Sequence, residues 1–195
     1  GMDYDSDTLI MFDNNILLNA ANKCYKKYNV CVNEVEIEDT NKYTVCSTDM
    51  AKIDNVLANS QKFIGRVVNL GQHYMSNYWD MINNNIYDSD KLNEAIKAVD
   101  ICTILSEISI DSAKRMYTID IAKQIRELSK SNLVNNEKPN FFKYVSKNEN
   151  INKKIRHYET SMDYLQVAMS NIQTLADVLD KGAIEEREYR IIRGD

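Results

Sequence analysis

Proline is almost missing from this chain: Pro139 stands alone among 195 residues, and there are only five glycines. A β-rich fold closed by many tight turns uses more of both, so the scarcity points to helices joined by Asn- and Asp-rich turns. Metal-ligating sulfur is also thin. The four cysteines, Cys24, Cys31, Cys46 and Cys102, include no C-x-x-C pair, and both histidines, His73 and His157, lie far from them in sequence. That spacing gives a structural zinc site little support; buried free thiols in a reducing cytosol are expected instead. No stretch reaches the roughly 20 apolar residues of a membrane span and no signal-peptide pattern is read, so a cytoplasmic location is expected. Neither charge sign dominates: 24 basic and 29 acidic residues are well mixed, for a net charge of −5. Such a balance argues against a surface devoted to coating nucleic acid, while leaving room for a local basic patch.

What is present is a core. Hydrophobic residues make up 44% of the chain, enough for one domain, or one domain with an appended pair of helices. The pattern predicts a mainly α protein, a helical bundle with a small N-terminal α+β segment over 2–48. Short strands are expected near 8–12, 30–37 and 43–46, with a helix from Ile16 to Lys27 between the first two. A helical domain over 49–182 follows. Its first and longest helix is expected at about 49–84, with Phe63, Val67, Leu70, Tyr74, Tyr78 and Met81 on one stripe. A second stripe of Ile64, Val68, Gly71, Met75, Trp79 and Ile82 predicts burial over a wide arc. Gly65 and Gly71 inside this helix each cost about 1 kcal/mol relative to Ala, which close approach of another backbone would explain.

Further helices are expected at about 90–116, capped by Asp88-Ser89-Asp90, at about 120–130, and at about 161–181. The polar stretch 131–150 reads as a long loop around an apolar island, Phe141 to Val145. Thr160 and Asp163 form a capping-box pattern with Asp in place of Glu. In the last helix Met162, Leu165, Met169, Ile172, Leu175 and Leu179 keep near-heptad spacing, which predicts packing along one seam. A charged tail occupies 183–195.

The stretch with a claim to chemistry is Asp3-Tyr4-Asp5-Ser6-Asp7-Thr8. In extended backbone, alternate side chains point the same way, so Asp3, Asp5 and Asp7 can converge on one cation, and hard carboxylate oxygens suit Mg²⁺ or Mn²⁺. A calcium EF-hand loop would require Gly at 8 and Glu at 14, where Thr8 and Asn14 stand. A phosphatase signature of the D-x-D-x-T type would require Thr at 7 or 9, where Asp7 and Leu9 stand. A solvated acidic terminus and a divalent-metal triplet for phosphoryl or nucleotidyl transfer are the readings left.

The triplet resembles the D-x-D-G-D metal loop of two-barrel RNA polymerases, with Ser6 where that family commonly has Gly. The superfamily includes cellular polymerases, the RNA-silencing RNA-dependent polymerases and single-chain phage enzymes. Downstream, Ile64-Gly65-Arg66-Val67-Val68-Asn69-Leu70 and Ile110-Asp111-Ser112-Ala113-Lys114-Arg115 are similar to segments of the phage-type relatives. So are Pro139 to Val145 and Ser161 to Leu165. The resemblance implies Mg²⁺ (or Mn²⁺) held by Asp3, Asp5 and Asp7 beside an RNA 3′ end, and no zinc or organic cofactor. It implies nucleic-acid contacts at Lys114 and Arg115, and more weakly at Lys62 and Arg66, four apart on one helix face. A basic pair at a helix end is also what the helix dipole alone would favour. In that family a second barrel supplies the catalytic lysines, so upstream barrel domains of the same or a split protein are expected as partners. The isolated chain is expected to be inactive. The rival reading is a helical protein–protein interaction module, with 161–181 as the seam of a homodimer.

Overall fold

The computed structural model describes residues 10–37, 42–146 and 149–181, the side chains at 59, 60, 152 and 173–181 apart. The chain divides into two compact units, Gly1–Val32 and Asn33–Asp195. In the first, helix α1 runs from Asn15 to Lys27. Asn14 caps it: its side-chain oxygen accepts from the backbone N–H groups of Ile16 and Leu17 at 3.0 and 3.2 Å. Lys26 and Lys27 occupy the last turn, where the dipole favours cations, and none of the helix's residues is buried.

The second unit is mainly helical. Its helices are α2 (Ser47–Ser60), α3 (Ile64–Asn83), α4 (Ser89–Asp111), α5 (Ile121–Leu128), the short α6 (Phe142–Val145) and α7 (Ser161–Lys181), with a 3₁₀ segment at Glu149–Lys154. The bundle expected from the pattern is therefore observed. The expected strands are not: among the described residues of 10–12, 30–37 and 43–46 the sole pairing is an antiparallel bridge between Ile37 and Tyr117. These β-branched residues remain largely exposed, so no packed face rewards a ladder.

The expected long helix at about 49–84 is two helices, broken at 61–63. Asn59 and Ser60 precede the break, and Asn and Ser are weak helix formers. α2 is held at its start by Asp49, which accepts from both the N–H and the hydroxyl of Thr44 and pairs with Lys52.

The α3–α4 hairpin is the core. The five residues 84–88 join the two helices, and Asn85 takes the left-handed conformation at φ 58°, which Asn tolerates better than most residues. Asp88 then caps α4 by accepting from the N–H groups of Asp90 and Lys91. The first apolar stripe of α3 is buried at Val67, Leu70, Tyr74, Tyr78 and Met81, and meets Ala95, Ala98, Cys102, Leu105 and Ile108 of α4 in the buried core. The second stripe is only partly covered, and Val68 and Trp79 are exposed. Gly71 lies where the helices approach closely: a Cβ there would stand 3.0 Å from Cys102 Cβ. Gly65 has no such reason, since a Cβ there would meet nothing within 4 Å. α5 closes one side, with Tyr74 donating its hydroxyl to the Leu128 carbonyl at 2.7 Å.

The cysteines depart from expectation. Cys102 alone is buried; Cys24 and Cys46 are exposed and Cys31 is intermediate. Their apolar neighbours in sequence are themselves surface residues, as Val30, Val32 and Val45 show.

Candidate nucleic-acid interface

The antiparallel hairpin decides where the basic residues go. A groove along it is lined by Val67, Val68 and Ser106, then Gly71, Cys102 and Thr103, then Met75 and Val99. Continued in the same register, the start of α3 lies beside the end of α4. Lys62 and Arg66 thus share one end of the hairpin with Lys114 and Arg115, more than forty residues later. Lys114 and Arg115 sit in a turn whose backbone N–H groups both donate to the Asp111 carbonyl, at 2.8 and 2.9 Å. They therefore cover the C-terminal carbonyls of α4, the place where helix polarity favours a cation. Ser112 to Met116 also wall an open cleft of about 270 Å³ with Ile53, Val56 and Leu57 of α2. Lys62 and Arg66 straddle the Phe63 ring, each 5.8 Å from its centroid.

Arg66 faces a second cleft, of about 410 Å³, between α3, α5, residues 138–146 and Ile151. Asn69, His73, Ser129, Lys138 and Phe142 line it as well. Lys138 is fixed by its backbone: a parallel bridge pairs it with Ile155, its N–H donating to the Lys154 carbonyl and its carbonyl accepting from Arg156 N–H, both at 2.9 Å. Its ammonium donates to the Val134 carbonyl and lies 5.3 Å from the Phe142 ring centroid. Burial, with the Lys154 charge beside it, lowers the Lys138 pKa from its ordinary value.

His73 is wholly buried. Its Nε2 lies 3.4 Å from the Tyr158 hydroxyl and its ring meets Phe142 edge to face. Burial drives its pKa down to about 3, helped by Lys138 and Arg156 and opposed by the Glu137 carbonyl. Even so, Nδ1 makes no hydrogen bond of acceptable geometry. The ring is therefore neutral at physiological pH.

Behind His73 lies a buried polar network. Asp80 accepts from the Arg156 guanidinium at 2.9 Å and from the Glu159 N–H at 2.8 Å, while Arg156 also pairs with Glu137 and lies over the Tyr158 ring. Asp163 accepts from the N–H groups of Asn140 and Tyr158, at 3.0 and 3.1 Å, and lies 3.4 Å from the Thr160 hydroxyl. The capping pattern at Thr160 forms in one direction: the Asp163 N–H donates to Thr160 Oγ1 at 3.3 Å. The return bond goes to Tyr158 rather than to the cap's own N–H, because Asp is one methylene shorter than the usual Glu. His157 is exposed, beside Glu159 and the Tyr164 ring.

Asp3, Asp5 and Asp7 lie outside the described residues. Among those described, no group of three His, Cys, Asp or Glu residues is placed to hold a metal ion. No helix there is long and apolar enough to cross a membrane. Sequence reasoning named Arg66 but missed Lys138, Asp80 and Arg156, whose partners are 76 residues apart for the last pair and carry no spacing signal. Comparison with known protein families, curated proteins and solved structures finds no match to this chain.

Proposed function

We propose that the chain is the metal-loop and downstream helical part of a nucleotidyltransferase of the two-barrel RNA polymerase type. Asp3, Asp5 and Asp7 would hold Mg²⁺ or Mn²⁺, whose chemistry is to acidify an attacking 3′-hydroxyl and offset charge on the phosphates. The observation that supports this reading is the meeting, at one end of the α3–α4 hairpin, of the two stretches that carry the resemblance, 64–70 and 110–115. Each brings basic residues there: Arg66, with Lys62 just before it, and Lys114 with Arg115. Two segments so far apart in sequence would then act on one nucleic acid. The upstream barrels, as part of the same protein or as a split partner, complete the site, and the isolated chain is inactive.

The test is immunopurification from the source cells with antibody against this chain, followed by a template-dependent nucleotide-incorporation assay. The expected product is a larger protein, or an assembly, with Mg²⁺-dependent incorporation that Asp5→Ala abolishes. A chain recovered at its own mass, with no partner and no incorporation, would sink the proposal.

A second reading has its own support. Along α7, Leu165, Met169 and Ile172 fall on one stripe and are all more than half exposed. A stripe of that kind suits a helical interaction module that pairs through α7, and oligomeric state tests it.

A further inference from the structure

The cleft lined by Arg66, His73 and Lys138 has a composition that a purely structural gap would not need. Two cations line it and, among the described residues, no carboxylate does. Among the described residues neither cation has an acidic partner: Arg66 has the Phe63 ring, and Lys138 has the Val134 carbonyl and the Phe142 ring. The carboxylate nearest in sequence, Glu137, is taken by Arg156. A part-buried ammonium without a counter-ion is costly, and a bound anion offsets that cost. His73 adds a second and independent observation. It is wholly buried, and its Nδ1 lacks a hydrogen-bond partner. In the tautomer in which Nε2 accepts from the Tyr158 hydroxyl, Nδ1 carries the proton without forming a bond of acceptable geometry to the Glu137 carbonyl, so it is a donor still open to a better acceptor.

We infer that this cleft binds a phosphate group, with Arg66 and Lys138 as its charged ligands and His73 as a neutral donor. The donors come from three separate places: a flat guanidinium on the first turn of α3, a point charge on the segment before α6, and an imidazole about two turns further along α3. Such a set suits the several oxygens of a tetrahedral oxyanion better than the two of a planar carboxylate. At about 410 Å³ the cleft also has room for more than the phosphoryl group itself. Phosphate of this kind has two sources, a free mononucleotide or the backbone of a nucleic-acid strand. The inference does not depend on the acidic triplet, so either can fail alone.

The experiment follows the two imidazoles of the full ¹⁵N-labelled chain by NMR at neutral pH. Inorganic phosphate, uridine 5′-monophosphate and a single-stranded oligouridylate are titrated in turn at constant ionic strength. The expected result is a saturable shift of the His73 ring signals with the exposed His157 signals unmoved. Arg66→Gln should weaken that binding at least tenfold, whereas Lys97→Gln, at an exposed cation of α4 that does not line the cleft, should leave it within twofold. Lys138→Gln should weaken it too, but that side chain also packs on Phe142, so exposed Arg66 carries the decision, with thermal melting checking that the variant is folded. Saturation by phosphate or the mononucleotide assigns the cleft to a free ligand; saturation by the oligomer alone assigns it to a strand. Shifts that never saturate, that are equal at both histidines, or that survive Arg66→Gln in full would overturn the inference.

Discussion

Asp163 joins three parts of the chain through one carboxylate, accepting from Asn140 before α6, from Tyr158, and from the threonine that starts α7. An ionised carboxylate has acceptors for all of these, whereas the Asn amide offers one oxygen and two unwanted donors. Asp163→Asn should therefore destabilise the fold by about 2–4 kcal/mol, the range for breaking a buried charged hydrogen-bond set. Urea unfolding would read this as a lower midpoint at unchanged slope, and a loss under about 0.5 kcal/mol would show that the bonds are replaceable by water. Cysteine chemistry gives a second test at this scale. Burial pushes the Cys102 thiol up to about 12, while hydrogen bonding from Thr44 lowers that of Cys46. Iodoacetamide at pH 8 should modify Cys46 and Cys24 in the folded protein and reach Cys102 only after denaturant is added, as peptide mass mapping would show. Modification of Cys102 at a comparable rate would mean that the α3–α4 contact opens readily.

Among the helices, α7 is the one whose role is open. Its first turn is anchored at Thr160 and Asp163, and Tyr144 of α6 reaches Ser170 at 2.9 Å. The stripe at Leu165, Met169 and Ile172 is left facing solvent. If that stripe pairs two copies, Leu165→Glu and Ile172→Glu should turn a dimer into a folded monomer by light scattering, with the helical signal kept. A wild-type chain that is monomeric at high concentration would exclude the dimer. Most helices were legible in the sequence because their caps are local: Asn14, Asp88 and Asp120 each sit beside the donors they satisfy. The break at 61–63 was not, since the apolar spacing runs straight across it while the weak helix formers there speak only faintly. The strands were misjudged because β-branched residues signal a pleated surface only where something packs on it.

Taken as a whole, the molecule couples its stability to pH through His73. Unfolded, its imidazole takes up a proton near its ordinary pKa of 6.5; folded, burial holds it near 3. The unfolded state thus binds more protons between those values, so His73 favours the fold above about 6.5, and that contribution is lost as pH falls toward 3. The slope is at most about 1.4 kcal/mol per pH unit for one such group. Urea midpoints between pH 7.5 and 4.5 should fall with a steeper slope in the native protein than in His73→Gln, and equal slopes would refute the assignment. Of the candidate interface, the sequence shows the basic residues but not which of them share a place, because that depends on hairpin register and on Lys138 arriving through a backbone bridge. The five-residue link between α3 and α4 has a kinetic consequence as well. Closing so short a loop costs little chain entropy, whereas the bonds of Asp80 to Arg156 and Glu159 must wait for more than seventy residues to be gathered. Folding should therefore begin at the α3–α4 turn, with substitutions at the Ala98 and Leu105 contacts slowing refolding and those at Arg156 chiefly hastening unfolding.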